Sequence, residues 1–436
     1  MFGPALSGIV RMMTRVPDCP HNFSELDYRT ALSRLFRPGP GRLPPELAGR
    51  ETEQTYFLRR MLGLLKDGEA PPREMVLYGP RGNGKTVLLA DFKRRAQADK
   101  VDVLSLTPGI IDSPAGLARA LLSPADAPTA SVEKTVARVA KAAVAAAQAP
   151  VRERNWAVDS AHIKVPGVGA LSLGALSPEQ LKTRLPALLT ARCRARPLLV
   201  TVDEAHTLDS EVGQRLLNLS QQLGSDDTPF GLILAGTPQL RARLSRINAS
   251  FWSRAEIKPI GRISPAATVA ALTNPLSALS VSVEPAARAA VVDDTQRYPY
   301  FIQLWGEALC AVLLHESQGH TVTPATVEQA RAQVEGQRQH YYGERYDELK
   351  DRDLLTAGQT VATVFENANE LHEDTIKQAL REDARLDDKA IADTLEQLSA
   401  LGYTWSPTGD SDRVEPGIPS LMAHVQEKIH KATSKN

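Results

Sequence analysis

The chain has 436 residues, which is too many for one ordinary domain and enough for two or three. Its 51 lysines and arginines balance 51 aspartates and glutamates, which excludes a chain that is basic throughout and confines any nucleic-acid surface to a local patch. The cysteines (Cys19, Cys193 and Cys310) lack metal or disulfide spacing, and no apolar stretch approaches the ~20 residues that span a bilayer. We therefore expect a cytoplasmic protein without a membrane segment.

The first 45 residues differ in composition from the rest. They are rich in proline, arginine and glycine and end in "RPGPGRLPP", which predicts an extension that wraps a domain or stays loose. The opening "MFGPALSGIVRMM" lacks a convincing cleavage site, so we do not interpret it as a signal peptide.

Residues 46–262 alternate short β-like runs with helical stretches. Continuous apolar runs between helices predict strands that are buried on both faces of a sheet. We therefore predict an α/β domain whose mostly parallel sheet is sandwiched by helices. The runs are "MVLY" (75–78), "VDVLSL" (101–106), "PLLVTVD" (197–203), "GLILAG" (231–236) and "AEIKPI" (255–260).

The stretch 108–180 is long for one crossover between strands, and we interpret it as an elaboration of this domain. Its alanine-rich part, "SVEKTVARVAKAAVAAAQ", predicts a helix with one apolar stripe. The stretch then offers "HIKVPGVGALSL", which predicts a small hairpin. The stripe consists of Val132, Val136, Val139 and Ala143.

The string "GPRGNGKT" follows the first of these runs and opens the helix "TVLLADFKRR". Glycines let successive backbone N–H groups point at a phosphate, and the positive end of the helix adds attraction. The motif predicts that Lys85 reaches the β- and γ-phosphates and that the Thr86 hydroxyl binds Mg²⁺. A chance glycine turn is the alternative. The predicted nucleotide-binding residues are Gly79, Pro80, Arg81, Gly82, Asn83, Gly84, Lys85, Thr86 and Val87.

Two further runs end in polar residues. In "PLLVTVDEAH", Asp203 is predicted to hold Mg²⁺ through water and Glu204 to polarise the attacking water, although such a pair also caps ordinary strands. We interpret His206 as a structural neighbour of the site. In "GLILAGTPQL", Thr237 stands where it can sense the γ-phosphate; a turn before Pro238 is the alternative.

One arginine precedes the last core strand. In "FWSRAEIKPI", Arg254 is placed to project towards the nucleotide of a neighbouring subunit and stabilise transition-state charge. A solvated or core-bracing arginine is the alternative, and the sequence leaves both open.

These residues, in this order, resemble the AAA+/STAND group of P-loop ATPases, in the branch with archaeal-type ATPases and origin-recognition initiators. The stretch "ELAGRETE" (46–53) matches the signature h-h-G-R-E-x-E found upstream of the phosphate loop in that group. The resemblance implies binding of ATP and Mg²⁺ by a P-loop core at 46–262. It also implies an adenine and ribose pocket shaped by Gly49, Arg50, Glu53, Leu47 and Ala48.

Residues 263–340 have a helical pattern, and the resemblance implies a lid there. In "TQRYPYFIQLWGEAL", the family places a G-x-P-like motif or a sensor arginine. Pro299 fits this motif, whereas Arg297 stands where the glycine would be. Arg297 therefore either senses the nucleotide or faces solvent.

Residues 341–436 predict a winged-helix domain, because three helical stretches precede "GYTW" and "RVEPGI", which flank a turn as two strands of a wing would. Its expected recognition helix, "LDDKAIADTLEQLSALG", is acidic, and an acidic face repels DNA. Trp405 is expected to wedge or pack, and Arg413 is the basic residue of the wing. The helix carries Asp387, Asp388, Asp393 and Glu396 against Lys389, with Leu395, Leu398 and Leu401 in its core.

Two basic clusters lie elsewhere, and we interpret both as solvated helix faces rather than nucleic-acid contacts. They are Lys93, Arg94 and Arg95, and Arg241, Arg243 and Arg246.

Two functions are consistent with these features. The first is an ATP-hydrolysing AAA+ protein that forms a homo-oligomer and acts on DNA or on a macromolecular partner, which Arg254 favours. The alternative is a slow STAND-type switch that binds a protein partner without direct DNA action, which the "GRE" signature and the acidic C-terminal helix favour. A scaffold with a dead site is disfavoured by the intact Lys85, Thr86, Asp203 and Glu204.

Overall fold

The computed structural model describes residues 25–39, 41–123, 162–165, 169–172, 178–315, 320–366, 370–407 and 412–433. The predicted alanine-rich helix, with its stripe from Val132 to Ala143, lies outside these residues. The predicted hairpin is present as two antiparallel strands, with Ile163 opposite Leu171. Among the residues described, no helix combines the length and the apolar character needed to cross a membrane.

Five strands form the central sheet, and all of its pairs are parallel. Their order is β2-β5-β6-β1-β7, and they coincide with the five runs predicted from the sequence. The α/β prediction is therefore confirmed. The strands of the chain are β1 (Met75–Tyr78), β2 (Asp102–Leu106), β3 (His162–Val165), β4 (Gly169–Ser172), β5 (Leu198–Val202), β6 (Phe230–Gly236), β7 (Glu256–Pro259), β8 (Ser282–Val283), β9 (Thr321–Val322), β10 (Leu371–His372) and β11 (Arg413–Val414).

Helices flank the sheet and, with three two-stranded sheets, make up the other described elements. A π-helical segment, Phe57–Leu62, joins the second and third helices. The α-helices are α1 (Glu25–Ser33), α2 (Glu51–Tyr56), α3 (Gly63–Asp67), α4 (Lys85–Ala98), α5 (Pro114–Leu122), α6 (Pro178–Ala195), α7 (Ser210–Ser225), α8 (Leu240–Ile247), α9 (Phe251–Arg254), α10 (Pro265–Ala278), α11 (Pro285–Asp294), α12 (Pro299–His315), α13 (Pro324–Asp351), α14 (Leu355–Val364), α15 (Glu373–Glu382), α16 (Asp388–Leu401) and α17 (Leu421–Thr433).

The sheet is buried because its central strands are apolar throughout. Every residue of β1, β5 and β6 is buried. One face packs against α5, α7 and α8, and the other against α2 to α4. The edge strand β7 is less buried and ends at Pro259, a position where the missing N–H of proline is tolerated.

The strand order brings three loops to one edge of the sheet. β5 pairs with β6, and β6 pairs with β1, all in parallel. The carboxyl ends of these strands therefore lie side by side. The residues that follow them are Asp203, Thr237 and Gly79, so the predicted site residues converge from three different parts of the sequence.

The helices that were predicted for residues 264–338 are present. α10 and α13 begin at residues whose hydroxyls accept backbone N–H bonds, Ser264 and Thr323. α1 packs onto this helical unit: Leu32 and Phe36 are buried there, and the ring of Phe36 occupies the space that a side chain at position 306 would need. The part of the N-terminal segment from residue 25 onwards thus wraps a domain.

The C-terminal elements follow the predicted order. α14, α15 and α16 precede Trp405, which makes an antiparallel bridge with Glu415, and β10 pairs with β11. α13 runs through position 340, where the sequence suggests a domain boundary. The division into lid and winged-helix domain stays a prediction.

Candidate nucleotide-binding site

The candidate site begins in the loop that joins β1 to α4. The N–H of Gly79 donates to the carbonyl oxygen of Gly236 at 3.2 Å, which ties the loop to the end of β6. A side chain at position 79 would collide with the Ile260 carbonyl oxygen at 2.1 Å. Val87 lies in the first turn of α4, so the loop leads directly into the helix N-terminus.

Two glycines give the loop its curvature. Gly82 and Gly84 have φ of 78° and 89°, in the left-handed region that favours glycine. A side chain at position 82 would also meet the Tyr298 hydroxyl at 2.2 Å. Gly84 is therefore required for its positive φ. Gly82 is required both for its positive φ and because no side chain fits beside Tyr298.

Lys85 is buried against this loop. Its Nζ donates to the carbonyl oxygens of Gly79 at 2.8 Å and Pro80 at 2.9 Å. Burial lowers the pKa of Lys85 to about 8, although the nearby Glu204 and Asp203 carboxylates oppose the shift. A buried cation at a helix N-terminus suits an anionic ligand.

Thr86 lies next to Asp203, although 117 residues separate them in the sequence. The Thr86 hydroxyl donates to Asp203 Oδ2 at 2.7 Å. Among the described residues, no group of three or more His, Cys, Asp or Glu side chains is placed to hold a metal. Two protein oxygens are nevertheless what Mg²⁺ commonly receives when water and substrate phosphates supply the remaining ligands.

Glu204 and Thr237 flank this pair. The backbone N–H of Glu204 donates to Asp203 Oδ1 at 2.9 Å, and the Glu204 side chain is half exposed. Glu204 has φ of 52°, an uncommon value for a residue other than glycine. The Thr237 hydroxyl is buried without a hydrogen-bond partner. A carboxylate open to water and a free buried hydroxyl thus face the end of the phosphate loop.

The comparison with protein families agrees with this geometry. Residues 71–244 match the family model described as "AAA domain". This segment is thus similar to AAA domains. The match includes the phosphate loop, Asp203, Glu204 and Thr237, and implies nucleotide binding.

Comparison with solved structures shows the fold. The Walker-type ATPase Paby2304 of Pyrococcus abyssi has a TM-score of 0.55 at 14% identity, with 90% of this chain and 99% of that chain covered. The Aeropyrum pernix Orc1 protein, solved with DNA, has a TM-score of 0.44 at 16% identity, covering 93% and 97% of the two chains. The Thermotoga maritima RuvB Holliday junction branch migration motor has 0.43 at 14%, covering 87% and 95%. The first likeness supports the P-loop NTPase fold, and the other two scores are too low to add an argument. No curated protein matches the chain.

The signature upstream of the phosphate loop contributes an unexpected contact. Arg50 is buried and donates to the carbonyl oxygens of Asn83 at 3.0 Å and Gly261. It thus joins the phosphate loop to the segment that leads into α10. Gly49 has φ of 73° and lies against Ile263 and Ala267, with no room for a side chain. The expected adenine pocket stays a prediction, whereas the brace made by Arg50 was not anticipated.

The helical unit contacts the loop through a residue that the sequence reasoning missed. The Tyr298 hydroxyl donates to the Arg81 carbonyl oxygen. Tyr298 is fully buried, and burial holds its pKa well above the usual value, so it acts as a donor. The neighbouring Arg297 and Pro299 were predicted as site residues, but no local pattern indicates the contact that Tyr298 makes.

Arg297 has φ of 63°, which matches its position where a glycine was expected. Its side chain is exposed, and its charge influences the pKa values of Arg262 and Glu415. Pro299 begins α12. The structure thus brings Arg297 towards the C-terminal elements, and its role as a nucleotide sensor stays a prediction.

Trp405 packs next to the residue that precedes the phosphate loop. Its ring centroid lies 5.4 Å from that of Tyr78, the last residue of β1 before the loop. A side chain at Gly261 would meet Trp405 Nε1 at 3.3 Å. The expectation that Trp405 would wedge or pack is met by packing, and the C-terminal elements therefore contact the core around the central sheet.

Arg254 lies at the opposite end of the sheet from the phosphate loop. It precedes the amino end of β7 and lines a cleft with Arg73, Glu74 and Ser220, near the amino ends of β1 and β6. Its Nε donates to the Ser250 carbonyl oxygen at 3.1 Å. Arg254 is therefore not assembled with the other predicted site residues of the same chain.

Proposed function

We propose that this chain binds ATP with Mg²⁺ and hydrolyses it to ADP and phosphate. The observation that carries the proposal is the Thr86–Asp203 hydrogen bond at 2.7 Å, with Lys85 buried beside it. It supports the predicted pairing of a phosphate loop with a metal-holding carboxylate on the neighbouring strands. Roles for the individual site residues follow from this pairing.

The residues present fit a bound triphosphate and its metal ion. Besides the glycine loop, Asn83 Oδ1 and Thr237 Oγ1 are buried polar atoms without partners, as expected of groups that await a ligand or water. Thr86 and Asp203 would hold Mg²⁺ directly and through water. When bound, Mg²⁺ would neutralise charge on the β- and γ-phosphate oxygens.

The chain's own residues supply the other parts of the reaction. The Lys85 ammonium would exchange its bonds to the Gly79 and Pro80 carbonyl oxygens for bonds to phosphate oxygens. The Glu204 carboxylate is exposed enough to reach water and would orient it for in-line attack on the γ-phosphate. Thr237 would contribute a hydroxyl near the same phosphate.

Two substitutions test the proposal. Lys85→Ala should abolish nucleotide binding, because it removes the cation that contacts the phosphates. Glu204→Gln should retain binding but stop turnover, because an amide cannot accept a proton from water. Calorimetry with ATP and a phosphate-release assay measure the two quantities. Equal turnover by wild type and Glu204→Gln would overturn the role assigned to Glu204.

We further propose that the chain acts as a homo-oligomer with a macromolecular partner. Because Arg254 lies far from its own phosphate loop, its predicted finger role requires a neighbouring subunit. A protein partner is favoured over DNA, since two arginines of α8 are already engaged: Arg243 with the Leu208 carbonyl oxygen and Arg246 with Glu396. DNA-stimulated turnover that falls steeply with salt would instead favour DNA.

The alternative of a slow STAND-type switch gains no support from the comparisons. It predicts an ATP-dependent change in size on gel filtration without stimulated turnover. A pull-down with Glu204→Gln in ATP would identify a partner of either kind, because a trapped nucleotide state should hold it. A cytoplasmic location stays a prediction.

A further inference from the structure

His206 lies between two residues of the candidate site. Its Nε2 is 3.5 Å from Glu204 Oε2, and its Nδ1 accepts from the Thr237 N–H at 3.4 Å. The imidazole therefore joins the residue expected to orient water to the residue expected to face the γ-phosphate. The side chain is only 7% exposed, so water competes little for these contacts.

The contacts define the tautomer of the ring. Nδ1 faces a backbone N–H donor and must carry a lone pair, so the proton of a neutral imidazole lies on Nε2. Nε2 can then donate to the Glu204 carboxylate. Burial lowers the pKa of His206 to about 4, with Lys85, Arg81 and Arg352 adding to the shift, in agreement with a neutral ring.

The surroundings of the ring limit its movement. A side chain at Gly236 would lie 3.1 Å from His206 Nδ1 and 3.2 Å from Leu240 Cδ2. Because Gly236 has no side chain, there is room for the imidazole next to it. The ring is enclosed by the ends of β5 and β6 and by the first residue of α8.

We propose that His206 is a positioning residue that couples Thr237 to Glu204 by holding the Glu204 carboxylate with Nε2–H while Nδ1 is anchored on the Thr237 backbone. This inference rests on the proposed ATP hydrolysis and adds a member to its machinery. A shift of the strand end at Thr237 would move the imidazole and hence Glu204. Loss of the ring would leave Glu204 free to rotate into solvent.

The test compares His206→Leu with His206→Gln in steady-state ATP hydrolysis and in ATP binding by calorimetry. Leucine removes both polar contacts, and we expect kcat to fall about tenfold to a hundredfold, as for a misplaced catalytic group. The Kd for ATP should stay within about twofold. Glutamine keeps a donor for Glu204. We therefore expect kcat of His206→Gln to be about fivefold higher than that of His206→Leu, which corresponds to the contribution of one hydrogen bond.

A double substitution distinguishes positioning from a general structural effect. If His206 acts through Glu204, His206→Leu should cause little further loss in a Glu204→Asp background, where the shorter carboxylate is already withdrawn from the imidazole. His340→Leu is a matched control, because His340 Nε2 is also 3.5 Å from a glutamate, Glu344, but is exposed on α13. Gly236→Ala displaces the ring without changing its chemistry and should lower kcat even if His206→Leu folds poorly.

Three results would overturn the inference. Unchanged kcat in both His206→Leu and Gly236→Ala would show that turnover does not depend on the position in which the imidazole holds Glu204. Parallel losses in kcat and ATP affinity would indicate a structural role only. Absence of turnover in wild type would overturn the proposed function itself, which the first two results leave standing.

Discussion

Single residues in the phosphate loop are constrained by what surrounds them as well as by their own φ. Gly82 and Gly68 show the difference, because their φ values are 78° and 80°. A side chain at Gly82 would collide with Tyr298, whereas one at Gly68 would meet nothing within 4 Å. A comparison of Gly82 with Gly68 therefore separates the effect of the positive φ from the effect of the steric clash.

Gly82→Ala should therefore destabilise the protein more than Gly68→Ala. The control should cost about 1 kcal/mol, because it imposes only the positive φ on alanine. Gly82→Ala adds the clash with the Tyr298 hydroxyl and should also weaken ATP binding. Urea unfolding and calorimetry measure the two effects. Equal destabilisation by the two substitutions would contradict the steric account.

His206 should make the fold sensitive to acid. Its pKa is about 4 in the folded protein, below the ordinary value of 6.5, so the unfolded state binds more protons between these pH values. The free energy of unfolding should have its full value above pH 6.5. It should fall by roughly 3 kcal/mol as the pH approaches 4.

His206→Gln should lose this contribution, which urea unfolding at pH 7 and pH 4.5 can measure. The decrease in unfolding free energy between the two pH values should be smaller in the variant than in wild type. The same decrease in both proteins would show that another group is responsible.

At the scale of elements, the C-terminal unit is held to the sheet and to the segment that follows it by a few identifiable contacts. Trp405 packs against Tyr78, Arg262 donates to the Pro416 carbonyl oxygen at 2.8 Å, and Arg246 pairs with Glu396 of α16. The exposed ion pair contributes little by itself. The buried tryptophan is the main apolar anchor.

Trp405→Ala should loosen the C-terminal elements from the sheet. Removal of a buried indole costs about 3–5 kcal/mol, whereas Trp405→Phe keeps most of the ring and should cost less. Hydrogen exchange across residues 370–407 and 412–433 reports the change, with faster exchange in the alanine variant only. Unaltered exchange there would mean that other contacts suffice to dock these elements.

The sequence predicted the elements of the core well, because five continuous apolar runs separated by helices permit few arrangements other than a buried parallel sheet. The juxtaposition of Lys85, Thr86 and Asp203 was predictable for the same reason, since parallel strands end at a common edge. Contacts that do not follow from the order of the strands were not predictable. No local pattern indicates that Arg50 binds two backbone carbonyl oxygens or that Tyr298 reaches Arg81.

At the scale of the whole molecule, Arg254 and the phosphate loop lie at opposite ends of the sheet. A subunit stacked on another can therefore present its Arg254 to the neighbour's nucleotide. Arg254→Ala and Lys85→Ala should each be inactive alone, but their mixture should regain turnover, because some interfaces combine an intact loop with an intact arginine. A phosphate-release assay on the mixture measures this, and no recovery at any ratio would contradict a shared site.

α13 spans both helical units without a break. Its first half packs with α10, α11 and α12 through Val327 and Val334, and its last turns pack with the C-terminal elements through Tyr346 and Leu349. Its 28 residues correspond to a rod about 42 Å long. Each degree of tilt about its first turns would carry the far end roughly 0.7 Å sideways. Any rotation of this helix would therefore displace the C-terminal elements far more than the residues around Val327.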